Sequence, residues 1–331
     1  MNEWSLSPLL HRFFTDRLRG QLGVSPHTVA SYRDTFRILL QYATKRRHRQ
    51  PSELAVDELD ASFLADFLDH LERERGNSVR TRNARLAALH GFFKFVALNE
   101  PALALHCQRV LAIPPKRHHR TQVEFLTQEE TAALTAAPPT DRWMGRRDRT
   151  LLLLAAQTGL RNSELTSLRR QDVELDTGAH VRCVGKGRKA RCTPLHEDVV
   201  RALKQWLSEQ DEHPTAPLFP SSRGGVLSAD ALQRLVARHV KAAARKCPTL
   251  ATKTVTPHTL RHTAAMDLLR RGVPPTVIAL WLGHESPETT QIYVHADMGI
   301  KERALAHATS KGRRPPRYRP PDRLLAFLEG L

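Results

Sequence analysis

The sequence predicts a mainly α-helical protein with a small antiparallel sheet, in which a helical N-terminal domain precedes a larger mixed α/β domain. Three observations carry that prediction. Apolar residues recur at intervals of three and four along most of the chain, the period of an α-helix. Several of these stretches open on serine or threonine followed by proline, or by glutamate three residues on, which is the chemistry of a helix N-terminus. Strand-like segments are confined to 181–184 and 191–194, on either side of one tight turn, so a sheet built on them is small. A length of 331 residues suits two domains better than one.

The N-terminal domain is expected over 1–105. Ser25 and Pro26 read as a cap and first helical position, after which Val29, Tyr32, Phe36, Leu39, Leu40 and Ala43 share a helical face. A second helix carries Leu59, Phe63, Leu64, Phe67, Leu68 and Leu71. A third starts at Ser78 and carries Leu86, Leu89, Phe93 and Val96. Residues 106–122, HCQRVLAIPPKRHHRTQ, read as a basic linker stiffened by two prolines.

The larger domain is expected over 123–310. Thr127 and Glu130 have the spacing of a capping box. An apolar, buried helix over 148–157 is ended by Gly159. The two strands flank a basic turn, GKGRKA, at 185–190. Helices follow at 197–208 and 228–245, another opens at Thr256 and Pro257, and a further one over 273–282 closes on Gly283. Ser286 and Pro287 open the next, which carries Tyr293. Residues 311–331 form a tail whose basic, proline-rich start is extended and whose Leu324, Leu325, Phe327, Leu328 and Leu331 can make a short apolar helix.

The chain carries 51 Lys plus Arg against 34 Asp plus Glu, a formal net charge of +17, with a pI of about 10.4. Such a charge repels itself unless a polyanion is near, so nucleic acid is the favoured partner and a solubilising basic surface the other reading. Arg80, Arg82 and Arg85 sit near the start of the third helix, where cations oppose the helix dipole. A DNA phosphate facing that helix end accounts for them, as does a solvated basic face. Lys116 and Arg117 in the linker are further candidates for contact with a DNA backbone. Cys107, Cys183, Cys192 and Cys247 form no C-x-x-C pair, which argues against a zinc knuckle and fits reduced thiols in a cytosol. The first 14 residues do not read as a signal peptide, and the longest apolar run, 151–156, is far too short to span a membrane. A cytoplasmic protein, associated with the nucleoid when bound to DNA, is expected, with no membrane and no small-molecule substrate among its partners.

Six polar residues of the larger domain stand at constrained points. Arg161 follows a glycine-ended helix, and Lys186 lies in the turn between the strands. His258 and Arg261 are three apart on one helix. His284 follows Gly283, and Tyr293 lies nine residues further on. Two arginines, a lysine, two histidines and a tyrosine suit phosphoryl transfer to a tyrosine. No carboxylate cluster that holds magnesium accompanies them, so charge on the phosphorus falls to Arg, Lys and His, and neither metal nor cofactor is expected. No G-x-x-x-x-G-K-[ST] loop is present either. His258 and His262 also have a zinc-like spacing but lack the glutamate of H-E-x-x-H, so His262 reads as a packing or hydrogen-bonding residue. Trp281 reads as packing.

Together the motifs TGLRNSEL, VGKGRKARCTPL, HTLRHTAAM and LGHESPETTQIYVH resemble the tyrosine recombinase, or phage integrase, family, including its chromosome-dimer-resolving and transposon-type members. The resemblance covers about residues 123–307. It implies a helical core-binding domain that clamps duplex DNA with a tyrosine-recombinase catalytic domain. It also implies strand cleavage and rejoining through a 3′-phosphotyrosine, without metal or ATP. In that scheme Tyr293 is the nucleophile, and Arg161 and Arg261 clamp the non-bridging phosphate oxygens. Lys186 protonates the departing 5′-oxygen, His258 helps accept the tyrosine proton, His284 donates to the scissile phosphate, and Glu164 is a supporting acid. The resemblance further implies a homotetramer on two DNA sites, with the tail docking on a neighbouring subunit or folding back. A type IB topoisomerase and a DNA-binding protein without catalysis are the alternative readings.

Overall fold

The structure is a computed structural model in which residues 4–117, 123–185, 190–210, 213–283, 290 and 293 are described. The chain divides into two compact units, Met1–Arg120 and Thr121–Leu331, each with a core of its own. The predicted class holds: the described residues form helices and one small antiparallel sheet.

In the first unit, α1 (Leu6–Arg12) runs without a break into a wider, π-wound stretch, Phe13–Gln21. Periodicity alone does not mark this stretch, and its buried Leu6, Leu9 and Phe13 hold it. Then α2 (Pro26–Arg47) starts as expected, with Ser25 Oγ accepting from the Thr28 N–H at 3.2 Å. Asp60 and Ser78 cap α3 (Ala61–Arg73) and α4 (Val79–Asn99) in the same way. The helices close on an aromatic centre where Phe13, Phe36 and Phe92 meet edge to face, centroids 5.3–6.3 Å apart.

The linker is shorter than the sequence suggests. Residues 106–111 belong to α5 (Ala104–Leu111), whose Cys107 and Val110 are fully buried in the first core. Two apolar residues one turn apart outweigh the polar positions between them. The segment after α5 is pinned along α4: Asn83 Nδ2 donates to the Lys116 carbonyl at 2.8 Å, and the Lys116 N–H returns a bond to Asn83 Oδ1 at 3.0 Å. Arg82 donates to the Pro114 carbonyl at 3.1 Å and is only 5% exposed. That corrects its reading as a DNA contact, since its guanidinium faces protein.

The second unit opens with α6 (Gln128–Ala136), whose capping box forms as predicted. Its central helix, α7 (Trp143–Thr158), begins earlier than the apolar run implied. Gly145 allows this, because a Cβ there would stand 1.7 Å from the Pro139 carbonyl oxygen. Buried Asp148 on α7 accepts from Arg147, Arg238 and His239 at 2.7–2.8 Å. After α8 (Asn162–Ser167), strands β1 (Val173–Glu174), β2 (His180–Val184) and β3 (Ala190–Pro194) lie in sequence order, with Val181 opposite Thr193 and Cys183 opposite Arg191. Strand alternation sends Val181 and Cys183 into the core. Helices α9 (Glu197–Leu207), α10 (Ala229–Ala243), α11 (Pro257–Arg270) and α12 (Pro275–Leu282) complete the described part. No described helix is long and apolar enough to cross a membrane.

Candidate active site

Two helix ends build the centre of the site. Gly159 ends α7 in the left-handed region, φ 63°, and its carbonyl accepts from Arg261 Nη1 at 2.7 Å. Gly283 ends α12 likewise, φ 65°. The Leu282 carbonyl accepts from Arg261 Nη2 at 2.8 Å, and the adjacent Gly283 carbonyl from Arg161 Nη2 at 2.7 Å. The last carbonyls of a helix lack intrahelical partners and carry its negative dipole end. Two guanidiniums are thereby drawn onto neighbouring carbonyls, where like charges repel. Arg261, only 3% exposed, is pushed down to about 10, first by burial and then by the Arg161 charge.

Arg161 is also the cap of α8. Its N–H donates to Glu164 Oε2 at 2.7 Å and its Nη1 to Glu164 Oε1 at 2.9 Å, so the supporting acid of the sequence reading grips the arginine from both ends. A residue that reading passed over holds the acid in turn. Arg191 on β3 forks onto both Glu164 oxygens at 2.9 and 2.7 Å, and its Nε donates to the Trp281 carbonyl at 3.1 Å. Burial alone would raise the Glu164 carboxyl, but the bonds from Arg191 and Arg161 hold it at about 2. Arg191 stood inside a quoted motif, yet as a lone cation on a short strand it had no sequence signal of its own. Trp281 does more than pack, since its Nε1 donates to the Thr158 carbonyl at 3.2 Å.

Tyr293 is 1% exposed, packed with Ala265, Met266, Leu269, Ile278 and Leu282. Burial pushes its phenol up to about 12, against the pull of the Arg261 charge. The histidine that touches its hydroxyl is His262, with Nδ1 2.9 Å from Oη. His258, to which the resemblance gives a share in accepting the tyrosine proton, lies one turn before His262 on the same helix. Residues four apart on a helix lie one turn apart, and exposed His258 meets the His262 ring edge to face, centroids 4.2 Å apart. Arg161, Glu164, Arg261, His258 and Tyr293 are thus brought together. Lys186 and His284 lie outside the described residues. Their preceding neighbours, Gly185 and Gly283, both abut the cluster: a Cβ on Gly185 would meet Arg191 Nη1 at 3.1 Å and Glu164 Oε1 at 3.3 Å. Of the DNA-contact candidates in the first unit, Arg80 and Arg117 are exposed and Arg85 is half-buried. Lys116 is ion-paired to Glu72 and Asp69.

Residues 124–299, more than half of the chain, match the phage integrase family, and residues 12–100 match the N-terminal SAM-like domain of phage integrases. The chain belongs to the phage integrase family. Among relatives of this tyrosine recombinase, a putative integrase/recombinase, y4rC, of Sinorhizobium fredii is 51% identical over 327 residues, covering 99% of this chain and 98% of the relative. The tyrosine recombinase XerC of Pelobacter propionicus is 33% identical, covering 94% and 99%. In fold, the chain is similar to the XerH site-specific recombinase bound to a difH substrate, with a TM-score of 0.66 at 23% identity over 91% of this chain and 84% of that one. It is similar as well to the Tn1549 transposon integrase, with a TM-score of 0.68 at 18% identity over 93% and 100%. As a member of the family, the chain is a site-specific recombinase that cleaves and rejoins DNA.

Proposed function

We propose that this recombinase acts through a 3′-phosphotyrosine on Tyr293, within a homotetramer on two double-stranded DNA sites, as an integrase or transposon-type enzyme. The observation that carries the reading is the seating of Arg161 and Arg261 on consecutive carbonyls, 283 and 282, with the Arg261 charge felt by the Tyr293 phenol. A guanidinium has five N–H groups, and the bonds of each side chain to described residues use two. The fork geometry suits the non-bridging oxygens of one phosphate, whose charge grows as the tyrosine attacks. Lys186 is the candidate acid for the leaving 5′-oxygen and His284 a candidate donor to the phosphate. His258 stands at the exposed side of the cluster. Arg80, Arg85 and Arg117 are the candidates for backbone contact in the first unit. The name of the relative at 51% identity, an integrase/recombinase, supports the integrase class. The apolar end of the tail, 324–331, lies outside the described residues and is assigned to subunit docking.

Nicked suicide DNA tests the reading, because loss of the short downstream fragment traps the covalent adduct. The wild-type chain is expected to accumulate a protein–DNA band resistant to denaturant, and Tyr293→Phe none. An adduct that survives this substitution removes Tyr293 from the nucleophile's role. Cross-linking of the same complex reports four protomers on paired sites, against one for a topoisomerase.

A further inference from the structure

We propose that His262 is the group that takes the proton from Tyr293 when the phenol attacks DNA, and returns it on rejoining. The inference rests on the reading of Tyr293 as nucleophile. The contact is direct: Nδ1 of His262 lies 2.9 Å from Tyr293 Oη, a normal hydrogen-bond length. The ring planes are 62° apart with centroids at 5.5 Å, so the imidazole meets the phenol at its hydroxyl end and does not stack on its face. With the imidazole's own proton on Nε2, Nδ1 accepts from the Tyr293 hydroxyl, and that is the tautomer proton transfer requires.

The surroundings make such an acceptor necessary. Tyr293 is sealed among apolar side chains, and its phenol is pushed up to about 12. At neutral pH only roughly one phenol in 10⁵ is then ionised, so waiting for hydroxide is a poor route to the phenolate. Arg261 stabilises negative charge on the oxygen but, holding its own proton, cannot take another. His262 is half-buried beside exposed His258, so its ring spans the distance from the sealed hydroxyl toward the outer side of α11.

The Tyr293 O–H bond breaks and its proton passes to Nδ1 of His262. The oxygen forms a bond to phosphorus as the P–O5′ bond breaks, and the 5′-oxygen receives a proton from the general acid, for which Lys186 is the candidate. Rejoining runs each transfer backwards, with the His262 imidazolium returning the proton to the leaving phenolate.

The test is the single-turnover rate of adduct formation on saturating suicide DNA. His262→Ala is expected to slow the adduct about 100-fold or more, with DNA affinity within about twofold of wild type. Added imidazole restores the rate, and a series of substituted imidazoles restores it in order of their basicity, a dependence that a purely structural role would not produce. His262→Asn keeps an acceptor oxygen near Oη but cannot carry a proton, and is expected to stay slow. A His262→Asn enzyme at wild-type rate overturns the proposal. So does basicity-dependent rescue of His258→Ala combined with none for His262→Ala. A wild-type chain that forms no adduct at all overturns the underlying reading of Tyr293, and the His262 assignment with it.

Discussion

Glu164 is a buried carboxylate held between two arginines, so its protonation carries a consequence for stability. Its carboxyl sits at about 2, well below the ordinary glutamate value. A depressed folded-state value means stability that is complete above the unfolded value and is lost as pH falls from about 4.5 toward 2. The amount is about 3 kcal/mol. Glu164→Gln is expected to lower the melting temperature at pH 7 and to flatten the acid limb of the pH–stability curve over that window, which calorimetry between pH 2 and 7 checks. Arg191→Lys keeps a charge but loses the fork, so one Glu164 oxygen is left without its planar partner. Adduct formation is expected to fall roughly tenfold with little change in DNA affinity, because Arg161 loses its fixed seat while DNA contacts elsewhere are untouched. Arg161, Arg261 and Tyr293 were legible as a set because their residue types suit a phosphoryl transfer and because the motifs that hold them resemble those of a known family. Arg191 and His262 were not, because each acts on a partner distant in sequence, one on Glu164 27 residues away and the other on Tyr293 31 residues away.

At the scale of elements, the site depends on how two helices stop. Gly159 adopts φ 63°, and a Cβ there would come within 2.6 Å of Leu282 Cδ2 and 3.1 Å of Ala264 Cβ. Gly159→Ala therefore combines left-handed strain with a packing clash at the joint between α7, α11 and α12. A loss of more than about 2 kcal/mol is expected, read as a lower denaturant midpoint at unchanged slope. Because the Gly159 carbonyl anchors Arg261, the adduct rate is expected to fall as well. Helix starts at Ser25, Ser78, Thr127 and Thr256 were readable, since a cap is a local event within four residues. The helical part of the supposed linker was not. Its helix is fixed by Cys107 and Val110 meeting a core assembled from residues far upstream, and no neighbour in sequence reports that.

At the scale of the whole molecule, each unit closes its own apolar core. Leu39, Leu64, Phe92 and Val110 lie in the first, and Leu151, Trp206, Leu232 and Leu260 in the second. A fragment of residues 1–117, which includes α5 and the segment pinned by Asn83, is expected to fold alone with a cooperative thermal transition by circular dichroism. Ending it at 105, the boundary suggested by composition, removes Cys107 and Val110 and is expected to cost about 2 kcal/mol or more.

Periodicity, caps and charge are local or summed properties. The linear chain was therefore enough to predict a two-domain, mostly helical fold and to favour a polyanionic partner, while the phosphotyrosine chemistry came with the resemblance of four motifs to a known family. Which cation faces solvent, which is locked on a carboxylate, and which imidazole meets the phenol were settled by folding alone. Those outcomes turn on burial and on distances of about 3 Å between groups far apart in sequence. Arg82 turned inward, Arg191 became the clamp on Glu164, and His262 came within hydrogen-bond distance of the Tyr293 hydroxyl.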